Sequence, residues 1–277
     1  MVSLQMEDAV SSSRHASPLL RGDPPRALVV AIDHGMFMGP IEGARISGQV
    51  VRRVLEAGPD AVQLTPGIIR RERRELQAAE RCVVYRLDTT NVWRSTPLPP
   101  APGYWSPVGS VDDARSLDAD VAVAFLLGGW ADDSMERDNI RQLGRWAREC
   151  RAAGLPFMVE PLPISGKVDT HHDGHLVRML ARIAVEIGCD LLKLDFDGDI
   201  NGFAEMLEDV GVPVLVRGGP KATDRHQYLA AMAAALGAGA AGLVVGRNVF
   251  AESDPATAVR ELQDLVHSTA QRNVGNA

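Results

Sequence analysis

Leu191-Leu192-Lys193-Leu194-Asp195-Phe196, Pro213-Val214-Leu215-Val216-Arg217-Gly218 and Ala241-Gly242-Leu243-Val244-Val245-Gly246 are three short apolar runs separated by longer polar–apolar stretches. Near-continuous apolar runs of this length mark strands buried on both faces, as in a parallel sheet. Outward from these three, the same kind of run recurs at 27–33, 61–65, 82–87, 120–127 and 156–161. Helical periodicity is clearest over 41–57, 133–153, 174–187, 223–237 and 255–269, the last opened by Asp254-Pro255 with proline at its first position. Strands alternating with helices, without a break in composition, predict one α/β domain over residues 26–277: a single (β/α)8 barrel of TIM-barrel form. No GxGxxG follows the first strand, which argues against a doubly wound open sheet. The span 88–119, rich in Pro, Gly and Trp, is expected to form an extended loop near the barrel mouth. Residues 1–25 read as a flexible polar arm.

Composition narrows the function classes. The chain has 277 residues, 45% hydrophobic and 23% charged, with a formal net charge of −7. No apolar run approaches the roughly 18–20 residues that span a bilayer. The acidic balance argues against a protein that grips nucleic acid through bulk charge. Three scattered cysteines without CxxC spacing suggest neither a disulfide framework nor a zinc site, and fit a cytoplasmic protein.

Only three of the 29 basic residues are lysines: Lys167, Lys193 and Lys221. The strand assignment puts all three on the C-terminal face of the barrel, where active sites of this architecture lie. Lys193 stands inside an apolar strand, where an unpaired ammonium is costly. Burial or a neighbouring cation lowers a lysine pKa and leaves a free amine able to attack a carbonyl, which arginine cannot do. A structural ion pair with Asp195 or Asp33 explains the residue equally well.

Arg217-Gly218-Gly219-Pro220-Lys221 and Gly246-Arg247-Asn248 are Gly-rich turns after the last two strands, each carrying a cation. Loops at these positions often build a phosphate site from backbone N–H groups. Asp33 and His34 end the first strand, the former placed to orient a lysine or a substrate hydroxyl and the latter to bond a substrate oxygen. Glu160 ends the fifth strand among apolar residues, and burial there is expected to raise its pKa and suit it to proton transfer; the plainer alternative is a salt bridge to Arg86 or Lys193. His171-His172-Asp173-His175 lies in a polar stretch before a helix and reads as an exposed helix start, so no metal site and no cofactor are expected.

Together AIDHGMFMGP, GCDLLKLDF, VRGGPK and AGLVVGRNVF resemble the class I, Schiff-base aldolases of the superfamily that contains deoxyribose-phosphate aldolase and archaeal-type fructose-bisphosphate aldolase. The similarity runs over roughly residues 26–268. It implies a Schiff base on Lys193, Asp33 as the carboxylate beside it, and glycines of the two turns around a substrate phosphate. In the archaeal-type branch a tyrosine precedes Pro-x-Gly-Lys, where this chain has Leu162. Tagatose-type enzymes carry a glutamate matched by Glu160, and a strand-four lysine that corresponds here to Ala124. The expected activity is therefore that of a phosphosugar aldolase, a lyase using Lys193, Glu160 and Asp33. Alternatives are a transaldolase-like or aminodeoxyheptulosonate-type synthase, or a barrel that only senses sugar phosphates. The resemblance also implies a homo-oligomer.

Overall fold

The computed structural model describes residues 18–45, 47–94, 103–164 and 174–272. Its strands are β1 (Ala27–Ala31), β2 (Ala61–Leu64), β3 (Cys82–Arg86), β4 (Asp88–Thr90), β5 (Trp105–Pro107), β6 (Val121–Gly128), β7 (Phe157–Pro163), β8 (Leu191–Leu194), β9 (Val214–Arg217) and β10 (Gly242–Val245). All except β4 and β5 close into a parallel barrel in the order β1-β10-β9-β8-β7-β6-β3-β2. Each predicted strand is present, shortened or shifted by a few residues.

The helices are α1 (Gly35–Met38), α2 (Ser47–Ala57), α3 (Pro66–Arg71), α4 (Arg73–Ala79), α5 (Val111–Ser116), α6 (Asp133–Ala153), α7 (Gly174–Ile187), α8 (Ile200–Val210), α9 (Arg225–Gly237), α10 (Arg247–Phe250) and α11 (Pro255–Arg272). Local chemistry sets several boundaries. Asp132 and Asp199 cap α6 and α8 by accepting from the amides of Ser134 (2.8 Å) and Gly202 (3.0 Å), and left-handed Gly154 and Gly211 end them. At α11 the Asp254 carboxylate accepts from the Ala256 amide, as the Asp-Pro start requires. The predicted 41–57 helix is shorter in the structure. Gly43 has φ +76°, and a Cβ there would lie 2.2 Å from the Phe250 carbonyl oxygen, so this segment turns against Phe250 before α2 begins.

The span 88–119 is more ordered than the expected extended loop, although residues 95–102 are outside the described set. β4 and β5 pair antiparallel, and α5 follows with a Ser110–Asp113 capping box. Of the N-terminal segment, residues 18–25 are described, and Leu19 is fully buried in the apolar cluster at the barrel floor with Val29, Cys82 and Leu215. All three cysteines are buried free thiols. Among the described residues no helix is long and apolar enough to cross a membrane.

Candidate active site

Side chains alternate across a strand, so every second residue of a barrel strand points into the interior. Near the floor these inward positions are apolar: Ala31, Ala61, Val84, Met158, Leu191 and Leu215 share one cluster. Two residues further on, the same faces carry Asp33, Gln63, Arg86, Glu160, Lys193 and Arg217. The barrel thus has an apolar lower core and a charged layer beneath its mouth. Five members of that layer, all but Gln63, line one cavity with His34, Phe37, Trp93, Phe125, Gly218, Gly219, Gly246 and Arg247.

Four carboxylates are paired with three cations around this cavity. The Lys193 ammonium lies 3.0 Å from Glu160 Oε1, and Arg217 Nη1 lies 3.4 Å from the same oxygen. Arg86 is buried and reaches three acids: its Nε donates to Asp33 (2.9 Å), its Nη2 to Glu160 (2.7 Å) and its Nη1 to Asp88 (3.3 Å). Its guanidinium carbon also sits 3.9 Å from the centroid of the Phe125 ring. Arg217 grips Asp195 with two 2.7 Å bonds, and the Gln63 amide donates to Asp33. The other oxygen of Asp88 accepts from the Trp105 indole and the Phe125 amide, both at 2.7 Å, so it ties the β4–β5 hairpin to the barrel wall.

Burial pushes the Lys193 pKa below the usual lysine value; Arg86 and Arg217 push the same way against Glu160 and Asp33. For Glu160 burial favours the neutral acid, but Lys193, Arg86 and Arg217 outweigh it and hold the carboxyl down to about 2. This reverses the expected rise: the apolar neighbours along β7 are real, but cations from three other strands decide the shift. Asp33 is also held low, its burial outweighed by Arg86, His34 and Lys193. His34 is pushed down to about 4, chiefly by burial, so its ring is neutral at pH 7.

At the other side of the cavity the chain approaches without side chains. Gly219 has φ +66°, and a Cβ on Gly246 would lie 2.4 Å from His34 Cε1 and 2.9 Å from the Ala31 carbonyl oxygen. Glycine therefore leaves room for the His34 ring, which packs edge-on against Phe250. Arg247 Nε and His34 Nδ1 are buried without a hydrogen-bond partner among the described residues, the latter 3.5 Å from Asp33 Oδ1. Asn248, 1% exposed, staples the two glycine turns: its amide donates to the carbonyls of Gly218 (2.8 Å) and Pro220 (2.7 Å) and accepts from the Ala222 amide (2.8 Å). Asn248→Ala leaves those three backbone groups unpaired. A stability loss of about 1–3 kcal/mol is expected, measurable by thermal melting.

The sequence profile of the DeoC/LacD family aldolases matches residues 27–252. The chain belongs to the DeoC/LacD family of aldolases. This aldolase is 35% identical over 257 residues to an uncharacterized aldolase of Saccharolobus solfataricus, covering 92% of this chain and 94% of the relative. It is 31% identical to the 2-amino-4,5-dihydroxy-6-oxo-7-(phosphonooxy)heptanoate synthase of Streptomyces griseus, covering 92% and 90%. Among solved structures, an archaeal fructose-1,6-bisphosphate aldolase whose catalytic Lys is covalently bound to the carbinolamine intermediate of its substrate superposes with a TM-score of 0.79. Identity there is 27%, over 92% of this chain and 98% of that one.

The aldolase brings Asp33, His34, Glu160, Lys193, Arg217, Gly218, Gly219, Gly246 and Arg247 around one cavity. Lys221 is not among the lining residues; it turns away and pairs with Glu252. Lys167, His171, His172 and Asp173 lie outside the described residues, and His175 is on α7. Of the two lysines among the described residues, Lys193 lines the cavity and Lys221 does not. Ala124, matched by sequence to a strand-four lysine, belongs to the outward-facing core; the inward residue of that strand is Phe125. Leu162 is buried in the apolar cluster with Phe37 and Phe125. Arg86, which the sequence offers only as a salt-bridge partner, is the hub of the acids. Gln63 and Asp88 are not among the sequence candidates, and Asn248 enters there only as part of its turn; a polar residue two places above an apolar inward one on β2 is the available sign for Gln63.

Proposed function

We propose that this family aldolase is a class I enzyme that makes or breaks a C–C bond in a phosphorylated sugar or keto-acid-like substrate through a Schiff base on Lys193. The observation that carries the reading is a buried lysine 3.0 Å from a carboxylate that three cations keep ionised. Glu160 takes the ammonium proton, and the free amine attacks the ketone carbon. The resulting carbinolamine has lost the positive charge of the lysine, so Glu160 binds its proton more tightly at that stage. Glu160 then delivers that proton to the hydroxyl, which leaves as water, and the iminium forms beside a restored carboxylate. Glu160 takes the proton of the β-hydroxyl as the Cα–Cβ bond breaks, the electron pair of that bond passes to the iminium to give an enamine, and the fragment departs as an aldehyde. Glu160 returns the proton to the enamine carbon, and water hydrolyses the resulting iminium to free Lys193 and the ketone; condensation runs the same steps backwards. Asp33, fixed by Arg86 and Gln63, positions the lysine or a substrate hydroxyl.

The backbone of Gly218, Gly219 and Gly246 and the Arg247 guanidinium are assigned to the substrate phosphate, and the neutral His34 ring to a substrate oxygen. Lys221, paired with Glu252, is retained only as an outer charge near that turn. The relative from Streptomyces griseus, named as a synthase of a phosphonooxy-heptanoate, supports both the phosphate and the synthase direction. A cytoplasmic setting is supported by the buried free thiols, and a homo-oligomer by the family resemblance alone.

The iminium is itself the electron sink, so no metal is required. Condensation of dihydroxyacetone phosphate with an aldehyde is expected to keep its rate after dialysis against EDTA. Loss of more than about tenfold, restored by a divalent cation, contradicts the reading.

A further inference from the structure

The two sides of the cavity differ in chemistry. On one lie three glycines and Arg247, with its unmet buried donor. On the other stand Phe37, Trp93 and Phe125, with ring centroids 5.3–5.7 Å apart in tilted and edge-to-face contacts. Phe37 and Phe125 are buried within an apolar cluster that includes Trp130 and Leu162 and carries Trp93 on its edge. Among the described residues, the two arginines that line the cavity beside this wall are already paired with acids, and Arg94, next to Trp93, does not line the cavity but donates to the Phe37 carbonyl (3.0 Å) and the Tyr104 hydroxyl (3.1 Å). Arg86 donates to Asp33, Asp88 and Glu160 while lying over Phe125, and Arg217 is held by Asp195 and Glu160. A second phosphate here would have to displace a buried ion pair and lie against aromatic faces, whose negative π clouds repel anions.

We infer that the half of the substrate handled as an aldehyde is apolar and unphosphorylated, seated against Phe37, Trp93 and Phe125. The inference rests on the Schiff-base reading and extends it to the acceptor. It accounts for Phe125, whose inward position on β6 gives the cavity a hydrophobic surface where a cation would be needed to hold a second anion.

With the full-length protein and dihydroxyacetone phosphate as ketone, condensation rates with phenylacetaldehyde and glyceraldehyde 3-phosphate are compared at limiting acceptor. Phenylacetaldehyde is expected to show a kcat/KM at least about tenfold higher, in the range that one apolar contact surface provides. Trp93→Ala should shrink that ratio about fivefold or more, and Trp93→Lys should raise the rate with glyceraldehyde 3-phosphate. Trp93 is only partly buried, so neither change removes a core side chain. A kcat/KM for glyceraldehyde 3-phosphate equal to or above that for phenylacetaldehyde overturns the inference and leaves the Schiff base standing. If neither aldehyde reacts, saturation-transfer NMR with 2-phenylethanol decides. Saturable binding weakened by Trp93→Ala supports the apolar seat, and its absence overturns it. Borohydride trapping with the ketone alone reports on Lys193 without any acceptor, so the two readings fail separately.

Discussion

Lys193→Arg is expected to abolish aldolase turnover, with kcat/KM falling by at least about 10⁴-fold, as when a nucleophile is removed from an active site. Arginine preserves the positive charge beside Glu160 but is effectively never deprotonated, so it cannot supply the attacking amine. Lys193→Ala should lose as much activity while the barrel persists, because Glu160 keeps Arg86 and Arg217 as partners. If a structural ion pair were the only role of Lys193, the Arg variant would work and the Ala variant would be the damaged one. Steady-state kinetics on both variants, with circular dichroism to check folding, separates the two roles.

Arg86→Met should be the most destabilising single change in the site. It strips one guanidinium from Asp33, Asp88 and Glu160 at once, and all three are buried. Breaking a buried pair from one side costs about 3–5 kcal/mol, because a charge is left uncompensated. Denaturant unfolding should therefore show a lower midpoint, with Arg86→Lys intermediate because it keeps the charge and loses the fork. The variant also has a kinetic signature. Arg86 is one of the cations pushing the Lys193 pKa down, against two carboxylates pulling it up. Removing it raises that pKa, so the rise of rate with pH moves to more alkaline pH. An inflection that stays in place or moves to acid contradicts the assigned electrostatics.

The barrel was legible because its signal is periodic. Eight apolar runs with helical stretches between them are hard to satisfy otherwise, and each became a strand. Lys193 and Glu160 were legible for a related reason: a charged residue on an inward-facing position of an apolar strand has few innocent explanations. Their environment was not legible. The pKa of Glu160 depends on Lys193, Arg86 and Arg217, which come from three separate strands, whereas sequence neighbours display only the apolar residues of β7. Lys221 follows a strand that does reach the site, but the turn after Gly219 carries it out to Glu252, a direction set by backbone dihedrals. The parity of Ala124 and Phe125 was knowable from alternation alone, yet matching a motif by position hid which of the two faces inward. Asn248 shows the opposite limit: its three bonds run to a loop 26–30 residues away, and no spacing rule reaches that far.

The central claim is that Lys193 forms the covalent intermediate. Sodium borohydride added with dihydroxyacetone phosphate should reduce the iminium to a stable secondary amine, and mass spectrometry of the digested protein should place the added mass on the peptide containing Lys193. The wild type is expected to carry one adduct per chain on that residue, and Lys193→Ala none. An adduct on another residue, or one that persists in Lys193→Ala, contradicts the account.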